Sequence, residues 1–203
     1  MMKFKKKCGN QKGFSLVEVL LAIVILALVA TPILQLFTTS MKISKDSREL
    51  MGATDVAQAT MEVLTSKPME GTEGLDALLT DSASHVIIGS LGFTTGCGAI
   101  AYTGDFATFK TMLKNTYSAG VTEQCFYSKS SDALLVSFHG VEYNKQEYDV
   151  VVRMRSNGTG GDKYFTYDVD MEVYSVLNPG SGTEVHYNEL LVVLEGAVAN
   201  KSN

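Results

Sequence analysis

The sequence predicts an α+β fold in which a long N-terminal helix packs on a C-terminal antiparallel β-sheet. Three observations predict it. Residues 14–37, FSLVEVLLAIVILALVATPILQLF, form an apolar run whose only charge is Glu18. Residues 38–66 continue without proline and carry Leu50, Ala53, Ala57, Met61 and Leu64 at helical spacing. After Asp132, four apolar segments alternate with turn-rich connections.

As a helix the first run spans about 36 Å, against a hydrocarbon core of about 30 Å. It is long enough to cross a membrane. Five lysines (Lys3, Lys5, Lys6, Lys7, Lys12) and no acid stand among residues 1–13. By the positive-inside rule they hold the N-terminus in the cytoplasm and place residues 38–203 outside. From Phe14 onward 12 basic residues face 22 acidic ones, a net charge of −10. A body that acidic repels a phosphate backbone, so no direct nucleic-acid partner is expected. An ordinary secretory signal has an apolar core of roughly 7–15 residues followed by a small-x-small cleavage site. Here the run is longer, and its nearest approach to such a site, Val29-Ala30-Thr31, is poor.

Glu18 is the informative residue. A carboxylate in an apolar helix costs up to about 2.5–3.5 kcal/mol at the bilayer centre and less near the interface, so it calls for a polar partner or for snorkelling to the headgroups. A cut before Phe14 would create an α-amine four residues from Glu18, on the same helical face. That amine could pair with the glutamate within one chain or between neighbours.

Lys12-Gly13-Phe14-Ser15-Leu16-Val17-Glu18 and the apolar run behind it resemble the class III signal of type IV prepilins and type II secretion pseudopilins. The resemblance covers about residues 1–40 and rests on several features together: leader charge, the Gly-Phe junction, the glutamate offset and the apolar helix. It implies cleavage after Gly13 by a prepilin peptidase that also N-methylates Phe14, with Glu18 guiding subunit docking. The partners it implies are that peptidase/N-methyltransferase, other pilin subunits in a filament, an inner-membrane assembly platform and membrane lipid. The precursor would be a single-pass membrane protein and the product an extracellular or periplasm-spanning filament. Pro32, which removes one backbone hydrogen bond, reads either as a tolerated membrane-helix proline or as the kink many pilins carry in this part of the stem.

These signals divide the chain into a basic leader (1–13), a transmembrane or filament-core half of the stem (14–37), an amphipathic half (38–67) and a globular head (68–203). Pro68 is expected to stop the stem at Ser66 or Lys67. Gly52 marks a weak point in it. Within the head, Leu75–Leu79 reads as a short helical turn, His85–Ile88 as a short strand and Phe106–Asn115 as a second helix. Strands are expected near 133–143, 147–155, 163–177 and 185–198. In the third, Phe165, Tyr167, Val169, Met171 and Val173 share one face, while Thr166, Asp168, Asp170 and Glu172 share a wet one. The stem supplies the cover for the apolar face, which is the pilin architecture.

Cys8 would leave with the leader, so Cys97 and Cys125 form an even pair in an exported domain and read as a disulfide, with two free thiols as the alternative. The three histidines, His85, His139 and His186, stand far apart without metal spacing. Asp162, Asp168 and Asp170 could hold calcium beside the glycine loop, as in some pseudopilins, although a solvated strand face is the favoured reading and no metal is expected. Gly158-Thr159-Gly160-Gly161 lacks the lysine and following helix of a phosphate loop. No catalytic constellation and no cofactor motif emerges, so an enzyme is not expected. The expectation is a structural filament subunit, a minor pilin or pseudopilin; the alternative is a filament-tip adhesin or binding module carried on a pilin stem.

Overall fold

The computed structural model describes residues 15–66, 98–99, 106–118, 124–129, 133–156 and 166–199. The chain divides into two units, Met1–Asp46 and Ser47–Asn203. Helix α1, Leu16–Thr65, contributes to both. Its start follows from Ser15, whose carbonyl accepts the amides of Glu18 (2.9 Å) and Val19 (3.2 Å). Glu18 then sits in the first turn, where a carboxylate complements the helix dipole. The helix runs through Pro32 and ends at Thr65, three residues before Pro68.

In the first unit the helix presents apolar side chains to its surroundings. Leu16, Leu20, Ile23, Leu26, Leu34 and Phe37 are all exposed. By length and composition α1 is able to cross a membrane.

In the second unit a six-stranded sheet has the order β1-β2-β3-β4-β5-β6. The strands are β1 (Gly98–Ala99), β2 (Cys125–Lys129), β3 (Ala133–Tyr143), β4 (Gln146–Ser156), β5 (Thr166–Ser175) and β6 (Leu190–Ala199). From β2 to β6 every pairing is antiparallel, and β1 pairs in parallel with β2. This is the α+β, pilin-like arrangement that the periodicity predicted. Strands β3 and β4 are joined by a tight turn with Asn144 (φ 51°) and Lys145 (φ 66°) both left-handed, the primed geometry that suits hairpin twist.

One face of the sheet buries Leu134, Val136, Phe138, Tyr148, Val150, Val152, Val169, Met171 and Val173 beneath Ala53, Val56, Ala57 and Leu64 of α1. The expected apolar stripe on α1 is therefore rotated: Leu50 is exposed and Met61 half-buried, whereas Gly52, Val56 and Thr60 are buried. Small residues at 52, 53 and 57 let the helix backbone come close to the strands.

The opposite face is not the wet one expected. A second helix, α2 (Phe106–Ser118), lies over it and buries Phe109 and Leu113 with Phe126, Leu135, Val151 and Tyr187. Two acids of β5, Asp170 and Glu172, find cations there. Lys110 bonds Glu172, Arg153 Nε donates to Asp170 at 2.8 Å, and the Phe106 ring lies 5.0 Å from the Lys110 ammonium and 5.1 Å from the Arg153 guanidinium. Alternation along β5 told two faces apart correctly, but the polar face serves as a second, charged packing surface.

The strand limits around the last connection also differ. β5 ends at Ser175 and β6 begins at Leu190, so residues 185–189, expected in a strand, belong to the connection. Left-handed Asn178 (φ 59°) and Tyr187 (φ 54°) break the extended run, leaving one isolated bridge between Leu177 and Val185. The segments expected at 75–79 and 85–88 lie outside the described residues.

Candidate functional site

Two regions carry chemistry. The first is the N-terminal segment. Gly13 and Phe14 lie outside the described residues. Glu18 is exposed in the first turn of α1, and Pro32 is inside the helix. The second is a buried polar cluster on the α2 side of the sheet.

That cluster starts from a β-bulge. The β3–β4 register shifts between Phe138 and Val141, with Gly140 at φ 64°. The bulge keeps His139 buried and turns the Gly140 amide toward Asp149 Oδ1 (3.3 Å). Asp149, on β4, is fully buried. It also accepts the Tyr187 amide at 2.8 Å, and both of its oxygens lie 3.0 Å from His186 Nδ1. His139 Nδ1 stands 3.4 Å from Asp149 Oδ1, while its Nε2 meets the Tyr187 hydroxyl at 3.0 Å and Ser137 Oγ at 3.2 Å. The Tyr117 ring of α2 covers both imidazoles, with centroids 3.8 Å from His139 and 4.6 Å from His186.

Electrostatics divides the roles. Burial alone would raise the Asp149 carboxyl, but its bonds to His139 and His186 outweigh that and hold it at about 2. Burial pushes His139 below its ordinary value despite Asp149. At the less buried His186, the same burial effect is overcome by Asp149, which raises it. The contacts of Asp149 with His186 and with the Tyr187 amide tie the β5–β6 connection to the sheet.

Spacing in the sequence gave no hint that His139 and His186 share a site, since 46 positions separate them and the β5–β6 connection folds back to bring them together. The separated-histidine reading is corrected for this pair; His85 lies outside the described residues. Of the three acids considered for calcium, Asp162 is also outside them, Asp168 is half-buried on β5 and Asp170 bonds Arg153. Cys125 is buried in β2 and disulfide-bonded; Cys97 lies outside the described residues.

No curated protein and no solved structure matches the chain. The family model of the prokaryotic N-terminal methylation motif matches residues 8–34, which include the Gly13-Phe14 junction, Glu18 and the first part of the apolar helix. The chain thus carries the class III signal peptide of type IV pilins and pseudopilins, joined to a membrane-competent helix and a pilin-like α+β fold.

Proposed function

We propose that the chain is a structural subunit of a type IV pilin-like filament, of the minor pilin or pseudopilin kind. Prepilin peptidase removes residues 1–13 and methylates the Phe14 amine. The precursor waits in the membrane with its N-terminus cytoplasmic, and the head is exported. On assembly the apolar half of α1 leaves lipid for the filament core, where Glu18 neutralises the Phe14 amine of a neighbouring subunit.

The observation that carries this reading is the methylation motif at residues 8–34 running without a break into a helix whose apolar side chains are exposed. Such a surface needs lipid or equivalent neighbours to cover it. The exported head is supported by the disulfide at Cys125. Its partner in this reading is Cys97, because Gly98, the next residue, pairs with Phe126, the residue after Cys125.

Mass spectrometry of the mature N-terminus tests the processing step. N-methylphenylalanine at Phe14 is expected, and a start near Thr31 or an intact Met1 would overturn it. Assembly is tested by Glu18→Ala, which should insert in the membrane yet fail to enter filaments. Normal incorporation of that variant would remove the docking role of Glu18.

A further inference from the structure

Among the described residues, His139, Asp149 and His186 each offer a ligand atom within 4.8 Å of the other two. Two imidazoles and a carboxylate are donors for zinc and its first-row neighbours, whereas calcium and magnesium prefer oxygen alone. We propose that these three residues bind a divalent transition-metal ion of the zinc type, which clamps the β5–β6 connection to the bulge of β3.

The geometry suits such an ion. Zinc holds nitrogen and oxygen ligands at about 2.0–2.2 Å, which in a tetrahedron separates the ligand atoms by roughly 3.3–3.6 Å. Asp149 Oδ1 stands 3.4 Å from His139 Nδ1 and 3.0 Å from His186 Nδ1. Small side-chain adjustments open the space between them. The buried His139 Nδ1 makes no well-formed hydrogen bond and has only a loose 3.4 Å contact with the Asp149 carboxylate, so a ligand atom already faces the carboxylate.

The surroundings are those of a metal site. The Tyr187 hydroxyl and Ser137 Oγ engage His139 Nε2 and fix the ring that would coordinate through Nδ1. Backbone amides of Tyr187 and Gly140 orient the carboxylate. Such outer contacts typically set ligand orientation and basicity. Tyr117 closes one side, and His186, with its side chain 14% exposed, leaves the route by which an ion enters. Three protein ligands leave a fourth position for water or another donor. The site belongs to the head and does not depend on the filament reading.

The test uses the full-length chain in detergent, stripped with a chelator, loaded with Zn²⁺ alone and dialysed before metal analysis. One retained zinc per chain is expected, and Co²⁺ loading should give the intense visible absorption of a four-coordinate ion. His186→Ala, at the least buried ligand, should weaken Zn²⁺ binding by about tenfold or more. No retained zinc, a weak octahedral Co²⁺ spectrum, or equal retention by folded His186→Ala would overturn the proposal. The Co²⁺ spectrum of the unmodified chain decides the matter even if the variant does not fold.

Discussion

Gly52 and Tyr148 meet where α1 crosses the sheet: a methyl group at residue 52 would lie 2.2 Å from the Tyr148 hydroxyl oxygen and 3.1 Å from the ring carbon that bears it. The tyrosine is almost fully buried, so it cannot swing aside. Its hydroxyl donates to Gln146 Oε1 at 2.9 Å, with the Glu49 carbonyl 3.3 Å away. The glycine that weakens the helix locally is what allows helix and strand to touch.

Gly52→Ala tests this opposition. Helix propensity alone favours alanine by about 1 kcal/mol, whereas overpacking a filled site costs about 1–3 kcal/mol. The clash should win, lowering stability by about 1–2 kcal/mol in denaturant titration. Adding Tyr148→Phe, which removes the nearest atom, should recover part of the loss. An alanine variant more stable than the parent would show that the contact is slack.

Burial raises the Tyr148 hydroxyl to about 12, with Glu49 and Asp55 reinforcing the effect. A folded-state value above the unfolded one means that this contribution to stability is intact below pH 10 and is lost as pH climbs through 12. Thermal midpoints measured across that window should fall more steeply for the parent than for Tyr148→Phe. Equal slopes would remove Tyr148 from the alkaline transition.

Phe109 anchors α2 and is fully buried. Phe109→Ala should cost about 3–5 kcal/mol. The fluorescence of the tyrosines packed around it, Tyr117 and Tyr187 among them, is expected to change before the sheet unfolds. A loss below about 1 kcal/mol would mean that α2 contributes little to this face.

Lys110 joins the same helix to Glu172 and to the Tyr174 hydroxyl (3.0 Å). Burial opposes its charge, but those two partners outweigh burial and raise it. Because the pair is partly exposed, Lys110→Met should cost only about 0.5–1 kcal/mol and should blunt the dependence of stability on salt. Unchanged salt dependence would argue that the contact is incidental.

The bridge at Cys125 predicts a larger effect. Reduction, or Cys125→Ser, should lower the stability of the sheet-bearing unit by about 2–4 kcal/mol. A stability insensitive to reductant would place the head's stability elsewhere.

Much of this fold could be read in advance because it obeys period rules. Strand β3 matches its expected limits, β4 differs by one residue at each end, and the stem stops just short of Pro68. Other features had no local signature. Strand β2 is five residues long, CFYSK, and becomes a strand by pairing with β3, while β1 has only two residues. The charged face of β5 resembled a solvated one because its cations come from Lys110, on another element, and Arg153, across the register. The His139–Asp149–His186 cluster was invisible for the same reason: a bulge and a left-handed Tyr187 assemble it, and neither follows from side-chain spacing. In the N-terminal segment, by contrast, the chemistry lies in consecutive residues, and the sequence was sufficient to find the motif.

The alternation of β4 sends Tyr148 to the α1 side and Asp149, its immediate neighbour, to the α2 side. One peptide unit therefore carries two unrelated tasks. Substitutions can alter either alone, but inserting or deleting a single residue before Tyr148 would exchange them, setting a carboxylate against the stem and a phenol among the histidines. In this strand the count of residues is held more strictly than their identity, so length variation in the head should be confined to its connections.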